Sequence, residues 1–273
     1  MTEHTFYDEI QKSPVDLTRA ALQFAKAIAY PDLDVDLYAN LIEGLGNWAI
    51  KTVTQVHKPH ALAGELSLFL FNQLGFKGNL QEYEDPRNSY LNEVFDRRLG
   101  IPITLSAVYM TVARKAGLEA HGVGLPGHFV VSIHDPGGDF YVDPFNAGKI
   151  LSVEECAQLV ASTTGYQGPF QSQWLEPVST NTILTRMLNN LRNVYMKEQD
   201  WEHALSVIEH ISLLQPDMHE LIRDRAIIYH QKGKLQLAVQ QYEKYLASAP
   251  NAPDAETITA HLRAAAQVLA RKN

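Results

Sequence analysis

The chain has 273 residues, 45% hydrophobic and 20% charged, enough to bury a sizeable core in one large or two modest domains. A formal net charge of −8 argues against the clustered basic surface that nucleic-acid binding requires, so no such partner is expected. Apolar runs such as Leu66 to Phe71 are too short to span a bilayer, and no membrane is expected as a partner either.

The first residues, Met1-Thr2-Glu3-His4, lack the basic and apolar stretches of a secretory signal, and the single Cys156 has no partner for an internal disulfide. Both features fit a cytoplasmic protein. From residue 14 to 30 the spacing predicts a helix, with Pro14 in its first turn and Pro31 at its end. Leu17, Ala20, Ala21, Phe24 and Ile28 recur there at three- and four-residue steps. Leu37 to Trp48 and Ala61 to Leu74 repeat the pattern, and Gly75 suits a helix C-cap. Residues 1–75 thus read as a helical lead-in.

Gly75 to Asn79 reads as a turn, and Asp85-Pro86-Arg87-Asn88-Ser89 as a loop and N-cap for a helix from Tyr90 to Leu99. Gly100-Ile101-Pro102 breaks the chain and restarts it, with Pro102 suited to the first helical position. Leu105, Val108, Tyr109, Val112 and Ala116 form one stripe on a helix closed by Gly117. That helix is expected to be buried and central.

Three short β-type runs follow: Ala120 to Gly124, His128 to His134, and Phe140 to Asp143. A four-residue loop at Asp135-Pro136-Gly137-Gly138 pairs His134 with Asp139 and Val130 with Asp143, so that paired positions sum to 273. In this register Phe129, Val131 and Ile133 share a face with Phe140 and Val142. The other face carries His128, Val130, Ser132 and His134 with Tyr141 and Asp143. His128 and Asp143 become diagonal neighbours, on the order of 7–8 Å apart along the backbone and within side-chain reach.

Ser152-Val153-Glu154-Glu155 is a capping box that opens a helix to Ala161. Residues 165–179 are loop-like and mark a domain boundary. Beyond them Tyr195, Ala204, Ile208, Ile211 and Pro216 are matched 34 residues later by Tyr229, Ala238, Tyr242, Tyr245 and Pro250. That period, with a small residue nine after an aromatic and a Pro closing the unit, is the helix-turn-helix pattern of tetratricopeptide repeats. Pro253 to Lys272 reads as a solvent-facing capping helix, because two repeats cannot cover their own end.

Acyl transfer needs a nucleophile, a His to take its proton and an acid to orient the His. His128 and Asp143 can fill the last two roles, although a strand His also serves as a core or edge imidazole and Asp143-Pro144 as a strand-end turn. Thr104 and Ser106 are the only hydroxyls early in the central helix; about 200° separates them around its axis, so at most one faces His128. Both residue types also serve as helix-start or packing hydroxyls. Asn88 and Ser89 read as caps or as lining for a cleft. No metal or other cofactor is expected: His57 with His60, and His203 with His210, lack a tetrahedral ligand cluster. Gly122, Gly124 and Gly127 do not lead from a strand into a helix, as a phosphate fingerprint does, and are expected to shape the turn before His128.

Gly100-Ile101-Pro102 and its helix, then Gly127-His128-Phe129 and Tyr141-Val142-Asp143-Pro144, resemble the core of transglutaminase-like and papain-related enzymes. With Asn88-Ser89, Leu125-Pro126, Phe145, the run Arg186-Met187-Leu188-Asn189-Asn190-Leu191 and the repeats, nearly the whole chain resembles the bacterial SirB/YchA family. Those proteins join a transglutaminase-like domain to tetratricopeptide repeats. The resemblance implies a nucleophilic Cys at the start of the central helix, where the helix dipole lowers its pKa. Pro102 stands at that place and no Cys lies nearby; Cys156 is distant and reads as a small buried apolar residue. Arg186 to Leu191 is expected to be a packing helix joining the domains, not a site.

The resulting fold class is α+β: a helical N-terminal region and a transglutaminase-like helix-plus-antiparallel-sheet core over residues 1–175, the core being 76–175. An all-α region over 180–273 then holds two tetratricopeptide repeats and a capping helix. The expected function is a non-catalytic protein-interaction or regulatory scaffold. His128, Asp143, Thr104 and Ser106 would form a vestigial site, Asn88, Ser89 and Pro102 a cleft lining, and Tyr195 and Tyr229 a surface for a protein or peptide partner. The alternative is a hydrolase or acyl transferase using Thr104 or Ser106 with His128 and Asp143.

Overall fold

The apolar steps of the first third become packed helices in the computed structural model, which describes residues 5–52 and 58–272. Met1-Thr2-Glu3-His4 and His57 lie outside the described residues. A short helix, α1 (Phe6–Ile10), precedes α2 (Leu17–Ile28). The Asp16 carboxylate caps α2 by accepting from the Arg19 N–H, so Pro14 lies before the helix and not in its first turn. Leu22, Phe24 and Ala25 of α2 are wholly buried, and each large side chain so placed contributes about 1.5–3 kcal/mol. α3 (Val35–Thr52) and α4 (Pro59–Ser67) follow, and α4 runs into a π-helical turn at Leu68–Gln73.

The segment read as a turn after Gly75 contains a two-residue strand, β1 (Lys77–Gly78). It pairs in parallel with β2 (Leu99–Gly100), which follows α5 (Leu91–Arg97). Strands this short carry no alternation that a sequence could reveal. Asn88 and Ser89 do not cap α5. They belong to a 3-10 turn, Pro86–Ser89, whose own cap is Asp85, and Tyr90 occupies the α5 N-cap without a side-chain bond.

The central helix, α6 (Pro102–Lys115), begins at Pro102 and buries every residue from there to Met110. Its one phenol, Tyr109, donates to the Ala63 carbonyl at 3.0 Å, which satisfies a polar group that burial would otherwise penalise. α6 packs against α3 and against the sheet strands β3 (Ala120–Val123) and β4 (Val130–Ile133). β5 (Phe140–Asp143) and β6 (Lys149–Leu151) complete an antiparallel sheet in the order β3-β4-β5-β6.

Val131 pairs with Val142, Ser132 with Tyr141 and Ile133 with Phe140, which is the register of the four-residue loop. His134 Nδ1 and Asp139 Oδ1 flank that loop 2.9 Å apart. β6 directly follows Gly148 and is only three residues long, too short for the sequence to show a period. Every residue of β4 and β5 is buried. α7 (Val153–Thr164), opened by its Ser152–Glu155 capping box, closes over Val130, Tyr141 and Leu151 with Cys156 and Val160. Cys156 is therefore a core residue, and burial, with the charge of Asp143, pushes its thiol up to about 12.

The chain divides into two compact units, Met1–Met187 and Leu188–Asn273. The remaining helices are α8 (Thr180–Glu198), α9 (Trp201–Leu214), α10 (His219–Gln231), α11 (Leu235–Ser248) and α12 (Ala255–Lys272). The repeat positions behave alike: Ala204 and Ala238 are fully buried, Ile208 and Ile211 match Tyr242 and Tyr245, and Pro216 and Pro250 follow the ends of α9 and α11. α12 buries Ile258 and Ala265 and turns most other residues outward, as a cap should. Tyr195 is buried and stacked on His203, whereas Tyr229 is half-buried beside the α10–α12 core.

His210 gives the repeat unit a pH dependence. Its Nδ1–H donates to the Ser206 carbonyl at 2.8 Å, and burial lowers its pKa. Unfolded chains take up this proton first, so the stabilisation is complete above the ordinary imidazole value of about 6.5 and is lost as pH falls through the lowered folded value. Urea midpoints measured between neutral and mildly acidic pH should fall with acidification, and His210→Gln should flatten that slope. An unchanged slope in the variant would assign the effect elsewhere.

Candidate functional site

The geometry starts from a turn. Asp143 ends β5, Pro144 follows, and the Asp143 carboxylate caps a 3-10 turn, Pro144–Asn146. Its Oδ1 accepts from the Phe145 and Asn146 amides at 3.1 and 3.3 Å, and its Oδ2 accepts from Asn146 Nδ2 at 2.7 Å. Oδ1 also lies 3.0 Å from His128 Nε2. With a carboxylate as acceptor, Nε2 donates, which leaves Nδ1 for a further partner; none bonds it among the described residues. The dyad and the strand-end turn, read from sequence as alternatives, are one arrangement. Both side chains are buried, His128 at 5% exposure and Asp143 at 1%.

His128 is set by the turn before it. Gly127 has φ +71°, a conformation that favours glycine, and the His128 amide closes the turn onto the Leu125 carbonyl at 3.2 Å. The Arg186 guanidinium then holds both ends, donating to the Leu125 and His128 carbonyls at 3.0 and 2.7 Å while lying 5.4 Å from the Phe129 ring centre. Arg186 thus positions the site, which corrects the reading of its segment as packing alone. Sequence offered little signal for it, because an Arg in an amphipathic helix is ordinarily solvated.

Phe145 links the pair to the surface. Its ring meets His128 edge-on at 5.9 Å and Tyr83 at 6.0 Å, and it lies on Gly78, where a β-carbon would fall 2.5 Å from it. Asn88 fixes the loop that carries Tyr83: its Nδ2 donates to the Glu82 and Tyr83 carbonyls at 2.7 and 3.2 Å, and its Oδ1 accepts from Asn79. From sequence Asn79 is only the end of a turn and Phe145 only part of the family resemblance, and Asn146 carries no role, although the run Asp-Pro-Phe-Asn is a turn signal that contains two of the three.

At the start of α6, Pro102 occupies the first helical position. Thr104 Oγ1 donates to the Asn88 carbonyl at 2.8 Å and accepts from the Ile101 amide at 3.1 Å, so it ties the helix start to the Asn88 turn. Thr104 and Ser106 are both fully buried, and Ser106 Oγ has no hydrogen-bond partner among the described residues. Ser89 and Pro102 are buried as well. Among the described residues no group of three His, Cys, Asp or Glu side chains could hold a metal ion, and no helix is long and apolar enough to cross a membrane.

A helix start, a His in the turn that leads into β4 and an Asp at the end of β5 accompany a match of the Transglutaminase-like superfamily model to residues 38–189, and a Tetratricopeptide repeat model matches residues 191–263. A protein of Xylella fastidiosa named UPF0162 protein is 36% identical over 85% of this chain and 84% of its own length. Its Vibrio cholerae counterpart is 32% identical, over 73% of each chain. The chain belongs to the UPF0162 protein family. It is also similar to human F-box only protein 21, 30% identical over 62% of this chain and 28% of that protein.

Proposed function

We propose that the protein is a non-catalytic interaction or regulatory scaffold: a transglutaminase-like domain, residues 1–175, without its nucleophile, and a repeat region, residues 180–273, that receives a protein or peptide partner. The observation that carries this reading is the start of α6. Where the superfamily resemblance implies a thiol stands Pro102, and the nearest hydroxyl, Thr104 Oγ1, is committed to the Ile101 amide and the Asn88 carbonyl. Cys156 lies in an apolar cluster with its thiol pushed up to about 12, far from the reactive thiolate range. The similarity to about a quarter of F-box only protein 21 supports a module that works beside other domains. A single buried Cys fits a cytoplasmic setting.

The second reading, a hydrolase or acyl transferase, rests on the unpartnered Ser106 hydroxyl with His128 and Asp143. A fluorophosphonate probe separates the two. We expect no labelling of the full chain above a heat-denatured control; labelling that His128→Ala abolishes would overturn the scaffold reading. Partner capture from cell extract should survive His128→Ala and be lost on substitution of the exposed residues around Tyr229.

A further inference from the structure

A second feature of the Met1–Met187 unit shares no residue with the His128–Asp143 pair. Between the α2–α3 connection and α5 lies an open groove of about 540 Å³. Asp32, Asp34, Glu93 and Asp96 line it, and no Lys, Arg or His does. Neither Asp32 nor Glu93 forms an ion pair among the described residues. Asp34 accepts from the Leu37 amide and Asp96 from the Tyr38 phenol, each bond using one carboxylate oxygen. Arg98, whose charge reaches Asp96, is turned away onto the rings of Phe76 and Phe95.

Acidic residues alone would be a solvated surface. Asn92 makes this one a site: it lines the groove, is 4% exposed, and its Oδ1 is buried with no hydrogen-bond partner among the described residues. A buried acceptor left unpaired costs about 1–3 kcal/mol, which a donor in the groove would recover once the Asn92 amide turns toward it. The side-chain acceptors with capacity to spare in the groove therefore call for a donor-rich cation.

The walls narrow the choice. Tyr30 and Tyr38 supply aromatic surface, and Leu37, half exposed at 51%, continues into Leu41 and Trp48 at helical spacing along the outer face of α3. A guanidinium stacks on aromatic faces and bonds carboxylates and amide oxygens in its plane, which an ammonium does less well. A neighbouring apolar side chain would lie on the Leu37–Leu41–Trp48 stripe. We propose that this groove binds an arginine-bearing peptide segment, with the guanidinium among Asn92, Glu93 and Asp32 and an adjacent apolar residue on α3.

The test is fluorescence anisotropy of a fluorescein-labelled peptide of alternating Leu and Arg, titrated with the full chain. Saturable binding is expected, weakened about tenfold or more by Asp32→Asn with Glu93→Gln, and similarly by Asn92→Leu, which removes an acceptor that has no partner among the described residues. Glu154→Gln with Glu176→Gln removes the same charge from exposed positions outside the groove and outside the repeat region, and should leave binding unchanged. Circular dichroism confirms that each variant is folded. Equal losses in the two double variants would reduce the effect to net charge and overturn the proposal. So would an absence of saturation, equal binding of a peptide with Glu for Arg, or displacement by spermidine as effective as by unlabelled peptide.

Discussion

Replacing Asp143 with Leu should lower the stability of the Met1–Met187 unit by about 3–5 kcal/mol, because several buried donors lose their one acceptor group at once. Four donors converge on this carboxylate: His128 Nε2, the amides of Phe145 and Asn146, and Asn146 Nδ2. At 1% exposure, water cannot replace it. Asp143→Asn is the sharper probe. It keeps one acceptor and places an amide N–H₂ where Oδ2 faces Asn146 Nδ2, donor against donor, at a cost of about 1–3 kcal/mol. Adding Asn146→Asp exchanges the two groups and should restore most of the loss. Urea unfolding of the three variants measures this; an Asp143→Asn protein as stable as the parent would show that the carboxylate does not organise the turn.

Gly148→Ala should destabilise by about 2–5 kcal/mol, from two separate causes. The residue has φ +70°, where an L side chain costs about 1–2 kcal/mol. A β-carbon there would also fall 2.5 Å from Ser67 Cβ and 2.6 Å from Phe71 Cε2, and overpacking of this kind costs about 1–3 kcal/mol. The close approach is held by Ser67 Oγ, which lies 3.0 Å from the carbonyls of both Gly148 and Ala63. Gly148→Ala combined with Ser67→Gly should recover part of the packing loss and none of the backbone part. A melting curve for Gly148→Ala that overlays the parent would contradict both.

The legibility of this fold follows the range of its interactions. Periodic apolar spacing located α2, α3, α6 and the repeat helices, because helix faces are written in neighbouring residues. The β4–β5 register was recoverable because a four-residue loop and an apolar face leave one consistent pairing. β1 and β2 were not, since their pairing joins residues distant in the chain, and β6, although it pairs with the neighbouring β5, is like them too short to hold a period. Asp16 displaced Pro14 at the start of α2 because a side-chain cap outcompetes a residue that only tolerates the position. Arg186, Asn88 and Asn79 act on backbone carbonyls or on one another through the fold, and no local pattern announces such a bond.

The Asp143 turn bears on how such chains are read. The carboxylate that orients His128 is the one that folds Pro144–Asn146, so Asp143 has a task at this corner with or without chemistry to perform at His128. A survey that sorts working enzymes from silent relatives by that pair would be sorting on a hinge of the architecture. The scaffold reading makes the first turn of α6, where this chain places Pro102, the position that discriminates.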